Sequence, residues 1–296
     1  MQNASNQVHS SRSLWRHFRT MALGIALAFG LTLGTPRPAQ ALTIVLDFAS
    51  APTTDLFGVG TTADNFAAYG FTELDLAQIR AATLAAVSDD FLGFPAPGGN
   101  GQELDIDFEF STGLSAPSNG DTEYYFVAIG DNTTGNGFLG QACLGCVRDS
   151  VGFGPSFGAG TGSIVGSILT DNIFGILGGL ASNDAQRINL LAGTIAHEIG
   201  HTLSLDHSDG QQMNPGESLW DLMATGVSPS NMPNSERLKD RAFSYAYFDQ
   251  LATVVGLRQA LPAPSVPEPG MLVLFGLGLS LLLWRARPRR IVCRLN

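Results

Sequence analysis

The chain predicts an α+β fold in a single domain, and three stretches carry that expectation. Leu42–Phe48 is an apolar and β-branched stretch of strand length. Leu76, Ile79, Thr83, Val87 and Phe91 recur at three- and four-residue steps, the spacing of one helix face. Residues 103–110 instead alternate, with Leu104, Ile106, Phe108 and Phe110 on one side and Glu103, Asp105, Asp107 and Glu109 on the other, as a half-buried strand does. Strands and long helices in this order, with no internal repeat, put helices against one sheet.

Taken in order, residues 49–62 read as loop, and Thr72 with Asp75 three residues on offers a helix cap. Prolines and glycines in 95–101 end that helix. Residues 124–129 form the next strand, apolar enough to be buried on both faces. The glycine-rich tract 130–162 has the composition of a substrate-side or calcium-binding loop, although its acids follow no calcium-loop spacing. Residues 163–169 are expected as an edge strand bordering a cleft. Asn183 or Asp184 can cap a helix through Ile188, Leu191, Ile195 and Ile199 to about Leu203. Residues 208–233 are irregular, and Leu238, Ala242, Tyr245, Phe248, Leu251 and Val255 predict a last helix over 235–260.

The chemistry concentrates in the second long helix. His197 and His201 are four residues apart, so a helix presents both imidazoles to one metal ion, with Glu198 beside them. His207 supplies a third ligand if the helix stops near Ser204 and the chain swings back. Three protein ligands and a free fourth position are the habit of catalytic zinc. Of the five histidines, His9 and His17 fall before the expected export cleavage site, so all the rest lie in this motif.

The run H-E-I-G-H-T-L-S-L-D-H over 197–207 resembles the metzincin family of zinc peptidases, signature HExxHxxGxxH, with Ser204 where the family has glycine. Ser208 resembles the matrixin-like branch, and residues 222–226 resemble the methionine turn that floors the metal ligands, with Met223 ahead of Met213 and Met232 as its methionine. The resemblance implies a mixed twisted sheet, two long helices and a small C-terminal subdomain ending in a helix. It also implies zinc, with calcium as a second cofactor. Thr225 is not the tyrosine ligand of astacin-like members, and no cysteine precedes Cys143 to act as a prosegment thiol, so a minimal bacterial relative is expected.

The ends read as addresses. Residues 1–41 form a signal peptide: Arg12, Arg16 and Arg19, an apolar run over 21–33, and Ala39-Gln40-Ala41 for cleavage. Residues 42–260 then hold the catalytic domain and 261–296 a linker and tail. That tail, Val266-Pro267-Glu268-Pro269-Gly270, a short apolar span over 271–284 and then Arg285, Arg287, Arg289 and Arg290, resembles the PEP-CTERM sorting signal. The resemblance implies a transient inner-membrane tether, an exosortase-type partner and release or display at a Gram-negative surface.

Charge and cysteines agree with export. Residues 42–265 carry 25 Asp plus Glu against 7 Lys plus Arg, a balance that excludes nucleic acid as a partner. Cys143 and Cys146 are read as a local disulfide; a second zinc site has only half its ligands there, and a redox pair has the wrong neighbours. The expected function is a zinc endopeptidase acting on protein or peptide through a zinc-held water activated by Glu198. The alternative is a zinc-binding matrix or surface protein without catalysis.

Overall fold

The computed structural model describes residues 41–92, 103–147, 160–211, 217–227 and 230–258. Its spine is a mixed sheet. Strand β1 (Leu42–Phe48) lies between β4 (Ile106–Ser111) and β5 (Tyr124–Asn132), parallel to both, and β7 (Ile164–Leu169) continues the parallel set beyond β5. Strand β6 (Gly140–Ala142) runs antiparallel along the outer side of β7. A hairpin of β2 (Thr53–Thr54) and β3 (Gly60–Thr62) pairs with the last residues of β5. All seven residues of β1 are buried: Leu42, Ile44, Leu46 and Phe48 join the main core, and Thr43, Val45 and Asp47 occupy the other face.

Helices α1 (Leu76–Leu92) and α3 (Asp184–Thr202) pack on each other, and α3 also packs on β6 and β7. Between β7 and α3 comes α2 (Thr170–Leu177), which begins directly where β7 ends; α4 (Tyr245–Val255) is the last helix among the described residues. The fold is therefore α+β with a mixed sheet and two long helices, as the sequence predicts. Among the described residues no helix is long and apolar enough to cross a membrane. The expected signal peptide, linker and C-terminal span lie outside the described residues, as do the helix-ending loop 95–101 and Met213.

Five local expectations are corrected. The α1 cap is Asp75, not Thr72: Asp75 and Gln78 exchange side-chain and backbone hydrogen bonds, both 2.9 Å. The amides of Thr72, Glu73 and Leu74 donate instead to the Asp184 carboxylate, so one buried acid ties the lead-in of α1 to the start of α3. Residues 49–62 contain β2 and β3. Residues 163–169 are not an edge, because β6, out of the glycine-rich tract, covers β7. In residues 103–110 the alternation holds for Leu104 and Ile106 but Phe110 is 51% exposed. Among the described residues no strand pairs beyond β4, and the Phe108 ring is already only partly covered, by Phe91.

The last helix is also shorter than its apolar spacing suggests. Residues 234–238 form a 3-10 turn, and the backbone after it is claimed by other partners: Asp240 O accepts from Ser218 N, Ala242 O accepts from Leu222 N at 3.0 Å, and Ser244 N donates to Asp221. Helix geometry starts only at Tyr245 and stops at Gly256, whose φ of 87° suits glycine.

Candidate metal centre

Helix α3 is fixed at both ends. Asn183 caps it by accepting from Gln186 N at 2.9 Å, and Asp184 places a carboxylate in the first turn, where the helix dipole favours it. Leu191, Ile195 and Ile199 are buried in the core, which orients the helix and turns His197, Glu198 and His201 to the other side. At the exit Ser204 N donates to His201 O and Leu205 N to Gly200 O, both 2.9 Å, while Ser204 takes φ 77°. This is a Schellman cap with serine in the left-handed position that glycine usually fills. The abrupt stop reverses the chain and returns His207 to the helix.

The three imidazoles converge. Their centroids lie 4.7, 4.8 and 5.3 Å apart, and one ligand atom from each falls within 4.8 Å of the others. His197 Nδ1 meets Leu222 O at 2.9 Å and His201 Nδ1 meets Leu205 O at 2.7 Å. A carbonyl only accepts, so each Nδ1 carries the proton and each Nε2 keeps a bare lone pair. His201 Nε2 stands 3.1 Å from His207 Nε2. Nitrogens bound tetrahedrally to zinc at about 2.05 Å lie about 3.3 Å apart, so this spacing fits a shared ion. Burial lowers the pKa of all three histidines, most for His197, and so favours the neutral form a metal ligand needs. From α4, Tyr247 donates its hydroxyl to Asp206 O and Gln250 its amide to Ser204 O, holding the segment that carries His207. Among the described residues this is the one group of three or more ligand-type side chains that converges, so the zinc expectation has a site and the calcium expectation has none.

Glu198 is buried beside the triad, and burial raises its pKa to about 8; a dication alongside would favour the ionised form. It packs on β6 at a position that tolerates no side chain: a Cβ on Gly140 would lie 2.8 Å from Glu198 Cγ and 2.9 Å from Oε1. Gly200 serves Met223 in the same way, since a Cβ there would lie 2.6 Å from the Met223 sulfur. Met223 is fully buried against this turn of α3. Met232 is also buried but faces Arg241, its sulfur 3.7 Å from Nη1.

Arg241 and Asp221 are the supports that sequence reading missed. Arg241 Nη1 donates at 3.3 Å to Leu222 O, the same carbonyl that receives His197. Asp221 accepts from Met223 N and Ser244 N, locking the methionine turn to the start of α4. Burial pulls Arg241 down to about 10 and raises Asp221. No motif spacing marks either residue; only Gly200, inside the histidine motif, was within reach of pattern reading.

Residues 265–290 match the PEP-CTERM protein-sorting motif, so this end of the chain carries the sorting signal expected of it. No curated protein matches the chain by sequence. Among solved structures, archaemetzincin from Methanopyrus kandleri is similar at 13% identity and a TM-score of 0.38, over 74% of this chain and 97% of that one. Metalloproteinase-II from Bacteroides fragilis is similar at 15% identity and 0.35, over 75% of this chain and 55% of that one. The ECX AB5 holotoxin in its GM1-bound form is similar at 16% identity and 0.29, over 82% and 88%. The chemistry of the site rests on its own geometry.

The cysteine pair meets the metal helix. Cys143 and Cys146 have Cα atoms 5.7 Å apart and joined sulfurs. Within and after their loop, Gly145 N donates to His201 O at 2.8 Å and Val147 N to Thr202 O at 3.2 Å. Two carbonyls at the end of α3 are thereby satisfied from another part of the chain.

Proposed function

We propose that the chain is an exported zinc endopeptidase. The observation that carries this reading is the convergence of three imidazoles, with Nδ1 of two of them occupied by backbone carbonyls, next to a buried glutamate that a pure binding site would not need. His197, His201 and His207 would hold the ion through their free nitrogens. Zinc so held supplies a Lewis acid for a peptide carbonyl and acidifies water. Glu198 is placed to take a proton at its carboxylate and return it to the leaving amine. Gly140 and β6 fix where that carboxylate sits, and Met223 supports the helix turn from below. Strand β6 has no partner on its outer side among the described residues, so it offers a substrate backbone an antiparallel edge beside Glu198.

The sorting motif at 265–290 supports an exosortase-type partner and delivery beyond the inner membrane of a Gram-negative cell. The cleavable signal over 1–41, the short membrane span and the transient tether are part of the same reading. The experiment is zinc content and casein cleavage of the exported protein beside Glu198→Ala. One zinc per chain in both, with cleavage only in the parent, supports the peptidase. Zinc in both with cleavage in neither moves the reading to a zinc-binding surface protein.

A further inference from the structure

The cavity beside Glu198 holds a cation that its surroundings do not account for. It measures about 410 Å³ and runs from His197 and Glu198 to Arg237 on the 3-10 turn over Asn234–Leu238, between apolar walls that include Leu139, Leu177 and Val227. That volume admits the largest side chains. Glu198 and Arg237 are the charged residues lining it.

In a body with more than three carboxylates for each cation, unpaired guanidinium is not expected. Among the described residues, Arg80 pairs with Asp64, Arg187 with Asp184, Lys239 with Glu236, and Arg258 with Asp107 and Glu103. Arg241 is spent on Leu222 O. Arg237 alone among the described cations has neither an ion pair nor a hydrogen bond. Burial also holds its pKa below the usual arginine value. Among the described residues no ion pair joins it to Glu198 across the cavity. The internal segments outside the described residues contain a single acid, Asp149, next to Arg148. A glycine makes room for the group: a Cβ on Gly226 would stand 3.4 Å from Arg237 Nη2. A half-buried guanidinium that lines a cavity and lacks a carboxylate has its donors in a fork suited to receiving one.

We propose that this cavity takes an acidic side chain, so that the enzyme selects peptide bonds flanked by glutamate or aspartate, with Arg237 as the residue that reads the carboxylate. This deepens the peptidase reading and rests on it. The carboxylate that Arg237 reads is that of a side chain entering the cavity, not the chain-terminal one, which offers the same chemistry.

The test uses the zinc-loaded exported protein and two peptide hydroxamates that differ only in a glutamate or a glutamine side chain next to the metal-binding group. Their dissociation constants are measured by calorimetry for the parent, Arg237→Gln and Arg237→Lys. A charge-assisted pair predicts about 10- to 100-fold tighter binding of the acid by the parent. The preference should vanish in Arg237→Gln and return in part in Arg237→Lys, with zinc content unchanged in all three. Equal binding of acid and amide by the parent overturns the proposal and leaves the peptidase reading standing. Binding of neither overturns both. Acid preference without cleavage of any peptide library keeps the pocket and removes the peptidase. In such a library, glutamate or aspartate should be enriched at one position beside the cut. Enrichment only of cuts at a fixed distance from free C-termini, lost in amidated peptides, would assign Arg237 to the terminal carboxylate instead.

Discussion

Gly140→Ala probes whether Glu198 acts from the position in which β6 holds it. The new methyl carbon would stand 2.8 Å from Glu198 Cγ, 2.9 Å from Oε1 and 3.1 Å from Cδ, where ordinary contact begins at 3.4 Å. At least about 0.6 Å must therefore be yielded, either by the glutamate turning off its rotamer, at about 0.5–1.5 kcal/mol, or by β6 retreating from β7. Both responses move the carboxylate relative to the cleft. A shift approaching 1 Å costs up to about 100-fold, so kcat should fall roughly 10- to 100-fold. The three atoms nearest that methyl all belong to Glu198 and none to a histidine, so zinc stoichiometry should stay at the parent value. Gly137 is the control, because a Cβ there meets nothing within 4 Å. Steady-state cleavage of a quenched fluorescent peptide, with zinc measured by atomic emission, reads both quantities. Full kcat in Gly140→Ala with zinc retained would refute the assignment of Glu198 as the proton carrier held on β6.

The other expectations reach into the supports. Arg241→Gln removes the second donor to Leu222 O and should weaken zinc binding about 10- to 100-fold in competition with a chelating dye. Unaltered affinity would make Arg241 a packing residue. Asp184→Ala deprives three backbone amides of their acceptor and should lower unfolding free energy by about 2–3 kcal/mol in urea melts. Ser204→Gly relieves a left-handed serine, worth about 1–2 kcal/mol, against about 0.4–1 kcal/mol of added freedom in the unfolded chain. A net gain near 0.5–1 kcal/mol is expected, and a loss would show that serine makes a needed contact. Burial, then the Asp240 charge, raises Asp90 well above its ordinary value despite Arg241. A raised carboxyl favours the folded state fully below its unfolded pKa and loses that contribution as pH rises through the folded one. Asp90→Asn should therefore flatten the decline of stability above about pH 4, read as melting temperature against pH. Parallel profiles would exclude the linkage.

The histidine-bearing helix α3 was legible because its signals are local: a cap at Asn183, an apolar face, and histidines one turn apart. The buried strands β1 and β5 were legible for a related reason, since each concentrates apolar, β-branched or aromatic residues over a strand's length. What escaped depends on partners distant in sequence. Asp184 looks like a helix cap but accepts from residues 72–74, more than a hundred positions away. Strand β6 has only Gly140, Gln141 and Ala142, and its extended shape comes from pairing with β7 rather than from any preference of those residues. The spacing through Leu238 and Ala242 mimicked a helix whose backbone groups are in fact taken by residues 218–222. Arg241 and Arg237 carry no pattern at all, because the function of a lone cation is set by what does or does not face it.

The cysteine loop gives the centre a history as well as a shape. Before export the chain meets a reducing cytoplasm, where the two thiols stay apart and the segment over 143–147 must be ordered against the end of α3 at full entropic cost. Once oxidised, the loop is already closed, and Gly145 and Val147 reach the His201 and Thr202 carbonyls with fewer alternatives to abandon. Oxidation of the pair thus lowers the cost of closing the turn that carries His201. On the reading of an exported peptidase, such closure would leave the centre unfinished until the chain has left the reducing cytoplasm.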